Sequence, residues 1–244
     1  MTEAGVSELA AASLRIADID PEIESRSGMS SSDIVVDSIK KGLRSGRYVP
    51  GQRLIEADLT SELNVSRGPV REALKRLAAE GTVTHTPNRG AQIRRLTHRE
   101  VNDLLAVLEP LTGLQARFAA KRIDEADNRE RVRSALNRLL AFRQGGDTIP
   151  FLEARRSFYD TLLDTGGNQE LKRIIPLMQI HIIRLQFSDY LVGRDRDRRF
   201  DEYEAFGEAV INGEEKRAER LAKIHIRRTR NAMNRLSPDA YARE

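Results

Sequence analysis

Residues 66–81, SRGPVREALKRLAAEG, constrain the fold of this chain more than any other stretch. Val70, Ala73, Leu74 and Leu77 recur at helical spacing and predict one buried stripe. Arg67 and Arg71 lie one turn apart and project away from that stripe. Lys75 and Arg76 also lie off it and are expected to decorate a solvated face. Ser66 is the expected N-cap, its hydroxyl accepting from a first-turn amide. Pro69 is tolerated because early helical amides have no intrahelical partner. Gly81 is the expected C′ stop. Such a helix packs one side on a core and shows guanidinium groups on the other.

The flanking sequence says what the core is. Residues 54–65, LIEADLTSELNV, predict a short helix through Leu59 and Leu63, then a turn at Asn64–Val65. Residues 33–46 predict another, with Val35, Ile39 and Leu43 on one face and Ser32 as its cap. Residues 82–86 and 91–95 read as two short strands joined by a turn at 87–90. Helix, helix, turn, helix, hairpin is the order of a winged helix-turn-helix. In that unit the third helix enters the major groove with its N-terminal residues nearest the bases. Arg67 and Arg71 are therefore the leading candidate base readers, since an arginine fork matches guanine O6 and N7. Gly68 would let the backbone approach a phosphate or base closely. Ser66 and Thr60 are candidate phosphate contacts at helix starts.

Charge agrees with this placement. Residues 33–96 hold 12 basic and 7 acidic side chains, whereas residues 1–32 hold 2 basic and 6 acidic. The positive excess is thus densest where phosphates would be met. The 244 residues fit two modest domains. Residues 1–29 are expected to be a disordered or loosely attached extension, 30–96 the winged unit, 97–236 a second domain, and 237–244 a mobile tail. Zero cysteines exclude disulfides and thiolate metal sites. With no long apolar run and no leader-like start, a cytoplasmic protein without membrane association is expected.

Beyond residue 96 only helical patterns occur. Thr97-His98-Arg99-Glu100 is a capping-box pattern at the start of a long helix. Further helices are predicted over 125–144, 148–164, 168–189, 195–212 and 214–236, separated by Gly145-Gly146, Gly166-Gly167 and Gly213. Short connections favour an antiparallel bundle. The predicted fold class is mainly α: an N-terminal winged helix-turn-helix plus a C-terminal antiparallel all-helical bundle.

The run from Val49 to Ala91, VPGQRLIEADLTSELNVSRGPVREALKRLAAEGTVTHTPNRGA, resembles the DNA-binding domain of the GntR family of bacterial transcription regulators. RSFYDTLLDTGGNQEL and EYEAFGEAVINGEEKRAERLAKIH further on resemble the all-helical FCD effector domain of its FadR-type branch. The resemblance implies that Arg89 and Gly90 form the wing tip, reaching the minor groove or an adjacent phosphate. It also places Arg53 at a frequent basic position of the family. Glu72 lies inside the motif and is expected to orient an arginine. Some relatives carry an arginine in the second helix that enters the groove; Ala57 stands there in this chain, so no operator sequence carries over.

The FCD pattern usually offers one Asp and three His to a divalent metal. Here those positions fall on Arg155, Tyr159, Tyr203 and His225, and only the last is retained. No metal and no other cofactor are therefore expected. The replacements could instead hold a carboxylate or phosphate directly, with Arg155 gripping the acid. Equally, Arg155 could reach solvent past a packed stem, and both tyrosines could be ordinary core aromatics. His181 is expected in the core. No P-loop, Gly-x-Ser-x-Gly or His-Glu-x-x-His occurs, so catalysis is not expected. The expected function is a homodimeric repressor of a short inverted repeat in double-stranded DNA, responsive to a small organic acid. An effector-independent architectural DNA-binder is the alternative.

Overall fold

The computed structural model describes residues 28–86, 90–145, 147–175, 177–187 and 196–243. The first unit opens with α1 (Ser31–Arg44), β1 (Arg53–Leu54), α2 (Glu56–Leu63) and α3 (Arg67–Ala79), and closes with β2 (Val83–Thr86) and β3 (Gly90–Ile93). The strands form an antiparallel sheet in the order β1-β3-β2, with Val83 opposite Ile93 and Leu54 opposite Ala91. The two-residue β1 carries no sequence signal of its own. It exists because β3 offers it a free edge.

The core of this unit is the predicted one. Val35, Ile39, Leu43, Val70, Ala73, Leu74 and Leu77 are all buried together. Asn64 caps α2 in the left-handed region at φ 51°, which asparagine tolerates, and this sets the turn into α3. Gly81, at φ +70°, ends α3 with the Thr82 amide donating to the Leu77 carbonyl and its own amide to Ala78. Ser30, not Ser32, caps α1, in a reciprocal box with Asp33. Ser32 is instead buried and donates to Glu72 on α3. Ser66 has the extended backbone of an N-cap, but its hydroxyl makes no capping bond.

The second unit comprises α4 (His98–Lys121), α5 (Asn128–Leu140), α6 (Thr148–Gly166), α7 (Gln169–Ile174), α8 (Leu177–Gln186), α9 (Arg196–Ile211) and α10 (Glu215–Met233). The Thr97–Glu100 box starts α4 as read from the sequence. The single helix expected over 168–189 is two, because Ile175 turns extended ahead of Pro176. The long α4 lies along α10, and α9 and α6 complete the bundle. No helix among the described residues is long and apolar enough to cross a membrane.

The last residues differ from expectation. The residues expected to form a mobile tail instead carry a short 3-10 turn (Pro238–Ala240) and bury Tyr241. The Tyr241 hydroxyl donates to the Met233 carbonyl at 2.6 Å, and its ring meets Phe187 and His98. The Ala242 amide donates to the carbonyl of Leu96, in the joint between the two units. Tyr241→Ala is expected to lower stability by about 3 kcal/mol through lost burial and cavity formation. Chemical denaturation of the full chain checks this, and an unchanged midpoint would show that the tail contributes nothing.

Candidate functional site

The arginine-bearing face of α3 is open to solvent. Arg67, Gly68 and Arg71 are exposed, while Val70, Ala73, Leu74 and Leu77 opposite them are at most 1% exposed. Arg67 has no acidic partner among the described residues. Arg71 Nε donates to Glu56 at 2.9 Å, yet its side chain stays 63% exposed. An exposed pair of this kind is worth about 0–1 kcal/mol. A bidentate guanine contact is worth about 1–3 kcal/mol of discrimination, so Glu56 holds Arg71 extended without withholding it.

The neighbouring residues sort differently from expectation. Glu72 accepts from Ser32, and no bond from it to an arginine is seen among the described residues. Arg76 is not a free solvated cation: it bonds Asp33 at 2.7 Å and ties α3 to the start of α1. Thr60 lies in the second turn of α2, not at its start, and its hydroxyl donates to the Glu56 carbonyl at 2.7 Å. Gly90 opens β3, and its Cα side faces the guanidinium of Arg53, which a Cβ there would meet at 3.9 Å. The structure therefore brings Arg53 and Gly90 together at the wing. Arg89 lies outside the described residues. Nothing within 4 Å would obstruct a Cβ at Gly68, so the protein itself does not require glycine there.

In the bundle, Arg155, Tyr159, Tyr203 and His225 converge from α6, α9 and α10. Arg155 is 7% exposed and His225 1% exposed, which settles the question of a solvated stem against burial. Arg155 Nε donates to the Tyr203 hydroxyl, and its guanidinium lies 4.4 Å from the centre of the Tyr159 ring. The rings of Tyr203 and His225 are 4.6 Å apart. His225 Nδ1 bonds Glu202 at 2.8 Å, and Glu202 also accepts from Arg228 at 2.8 Å. The Tyr159 hydroxyl is buried with no hydrogen-bond partner, and burial pushes its pKa above the ordinary phenol value. No carboxylate lies within ion-pair distance of Arg155 among the described residues. Glu202 had no sequence signal beyond following the expected pattern. The side chain of His181 lies outside the described residues.

This donor set does not fit a divalent cation. Of the four positions only His225 is a metal-ligand type, and its Nδ1 is committed to Glu202. The Arg155 guanidinium lies against both tyrosine rings of the group, where it would repel a cation.

Family comparison fits both halves. The model of the gntR family of bacterial regulatory proteins matches residues 31–93, and the FCD domain model matches residues 103–228. The chain belongs to the GntR family. This GntR-family chain is 28% identical to the HTH-type transcriptional regulator YdhC of Bacillus subtilis over 61% of its own length and 67% of that protein. It is 26% identical to the "Probable D-xylose utilization operon transcriptional repressor" of Paenarthrobacter nicotinovorans, over 62% of this chain and 66% of that one. The matches thus span about two thirds of these relatives. A GntR-type regulator of Rhodococcus sp. RHA1 has the same fold, with a TM-score of 0.70 at 21% identity, covering 86% of this chain and all (100%) of that one. Members of this family regulate transcription and are not enzymes.

Burial holds the His225 imidazole below its ordinary pKa, although Glu202 opposes this. For Glu202, burial raises the pKa, but the bonds from His225 and Arg228 outweigh it and the net shift is downward. A histidine depressed on folding takes up its proton first in the unfolded chain, so stability falls as pH drops below about 6.5. Melting temperatures of the wild type and His225→Gln, followed from about pH 7 to 5, should diverge at neutral pH and converge in acid. Parallel curves would show that His225 does not titrate across folding.

Proposed function

We propose that this chain is a homodimeric, ligand-responsive transcription regulator acting as a repressor on a short inverted repeat. Arg67 and Arg71 read base edges in the major groove, and Ser66 contacts phosphate at the head of α3. Arg53, Arg89 and Gly90 reach the backbone or minor groove from the wing. Thr60 has a weaker claim, since its hydroxyl is already bonded within α2. The observation that carries this reading is the outward pair of guanidinium groups opposite a fully buried stripe. Dimerisation follows from half-site logic: two recognition helices about a two-fold axis read an inverted repeat. The repressor sign is supported by the name of the Paenarthrobacter relative.

An organic anion held by Arg155, Tyr159, Tyr203 and His225, with no metal, alters DNA affinity by binding the two arrangements of the protein unequally. A route for that change is built around Leu96. Its amide donates to Gln186 Oε1 at 2.8 Å, while Gln186 Nε2 donates to the carbonyls of Leu96 and Ala240, each at 3.0 Å. Gln186 ends α8, the helix that gives Ile180, Ile183 and Arg184 to the cavities beside Arg155. A ligand that moves α8 therefore acts on the joint between the units.

Selection of bound fragments from genomic DNA tests the proposal; enrichment of one palindrome is expected, and uniform recovery would defeat it. On that fragment Arg71→Ala should lose specific binding while keeping the wild-type melting temperature. Gly68→Ala should be neutral or stabilising by up to about 1 kcal/mol, yet weaken operator binding by crowding the duplex. Equal operator affinity for Gly68→Ala would remove the close-approach role. Gln186→Ala should bind ligand normally but respond to it less in DNA affinity; a full response would exclude this route.

A further inference from the structure

We infer that the pocket's ligand is a short carboxylate with an apolar tail, its head held between Arg155 and Arg184. This rests on the effector reading above and adds the ligand's chemistry and a second cation.

Two adjoining cavities, of about 50 and 30 Å³, share Leu108, Leu152, Arg155, Ile180, Arg184 and Ile226 among their lining residues. Arg184 stands 5.7 Å from the centre of the same Tyr159 ring that Arg155 approaches at 4.4 Å. Neither arginine has a carboxylate partner among the described residues. The one acid among the described lining residues, Asp160, is bonded by Arg156 at 3.0 Å. Two guanidinium groups around one ring, in a mainly apolar lining, are a positive charge without a carboxylate partner among the described residues. One carboxylate spanning them supplies the missing charge. The buried Tyr159 hydroxyl, without a hydrogen-bond partner among the described residues, is a third donor in the same lining.

The remaining lining decides what the carboxylate is attached to. Away from the arginines it is mainly leucine and isoleucine; the neutral polar side chains are Thr112, Gln115 and Tyr159 in the larger cavity and Tyr203 and Thr229 in the smaller. Gln115 already donates to the Tyr159 carbonyl at 2.5 Å, and the Tyr203 hydroxyl already accepts from Arg155. A polyhydroxy acid or a sugar phosphate would bring several hydroxyls into this lining and leave most unpaired. A hydrocarbon tail loses nothing there. Voids of this size admit only a few heavy atoms, hence a short chain.

Isothermal titration of the full chain with acetate, butyrate, hexanoate, benzoate, hexanamide, gluconate and glucose 6-phosphate tests the inference. Affinity should rise about fourfold per added methylene from acetate until the void is filled, and hexanamide should not bind. Arg184→Gln should weaken hexanoate at least about tenfold, with unchanged circular dichroism. Because Arg184 is only half-buried, this variant tests the clamp without emptying the core. Gluconate or glucose 6-phosphate binding more tightly than hexanoate would overturn the apolar tail and leave the effector reading standing. Hexanoate binding equally to wild type and Arg184→Gln would overturn the two-arginine clamp. Failure of every anion to bind the wild type would overturn the effector reading as well.

Discussion

The burial of one stripe on α3 governs how this protein meets its surroundings. Val70, Ala73, Leu74 and Leu77 have no other place to go than the core formed with α1 and the small sheet. Rotating the helix by one residue position would bring a guanidinium toward that core, and an unpaired buried charge is far costlier than an exposed leucine. Hydrophobic burial and charge solvation therefore select the same rotation. The Arg76–Asp33 and Ser32–Glu72 bonds add lateral ties to α1. The outward set of Arg67 and Arg71 is a by-product of core packing, with Glu56 on α2 holding Arg71 extended.

The bundle solves the opposite problem. There a guanidinium is held inside, where burial alone would expel it. Arg155 is retained by one hydrogen bond to Tyr203 and by two aromatic faces. Those interactions satisfy part of the cation's demand and leave its charge uncancelled. His225 does not add to the problem, because burial keeps it near neutrality and it donates to Glu202. The two units thus use the same side chain in two ways: displayed outward to solvent on α3, and held inward within the bundle on α6.

What could be read from the sequence follows from the range of the signal. The stripe of α3, the asparagine turn and the Thr97–Glu100 box are all set by neighbours within one or two turns. Tyr203 and His225 were marked as candidates through the family's metal pattern, and the bundle buries both. By contrast, Arg184 became visible only once α8 was placed beside α6, since no local period relates it to Tyr159. The same holds for Gln186 and for the Tyr241 hydroxyl, whose bonds run to backbone carbonyls and an amide 90 and 54 residues from Gln186 and 8 from Tyr241, groups that carry no residue-type signal. Ser32 was read as the cap of α1 because cap chemistry fits many serines. Which one acts was decided by Asp33 three residues after Ser30.

The joint at Leu96 shows how a small ligand could govern a large surface. Leu96 is buried beside Phe187 and Tyr241, and that apolar contact is too large for a weak ligand to undo. The polar part is different: three hydrogen bonds from one glutamine, each worth about 0.5–1.5 kcal/mol net. Their sum is comparable with a typical coupling free energy of about 1–3 kcal/mol between two binding sites. A ligand that shifts α8 enough to trade these bonds for water would change the joint by that amount while its hydrophobic packing stays intact. On the proposed function, Gln186 is therefore placed where a modest binding energy would reach the joint that carries the α3 unit.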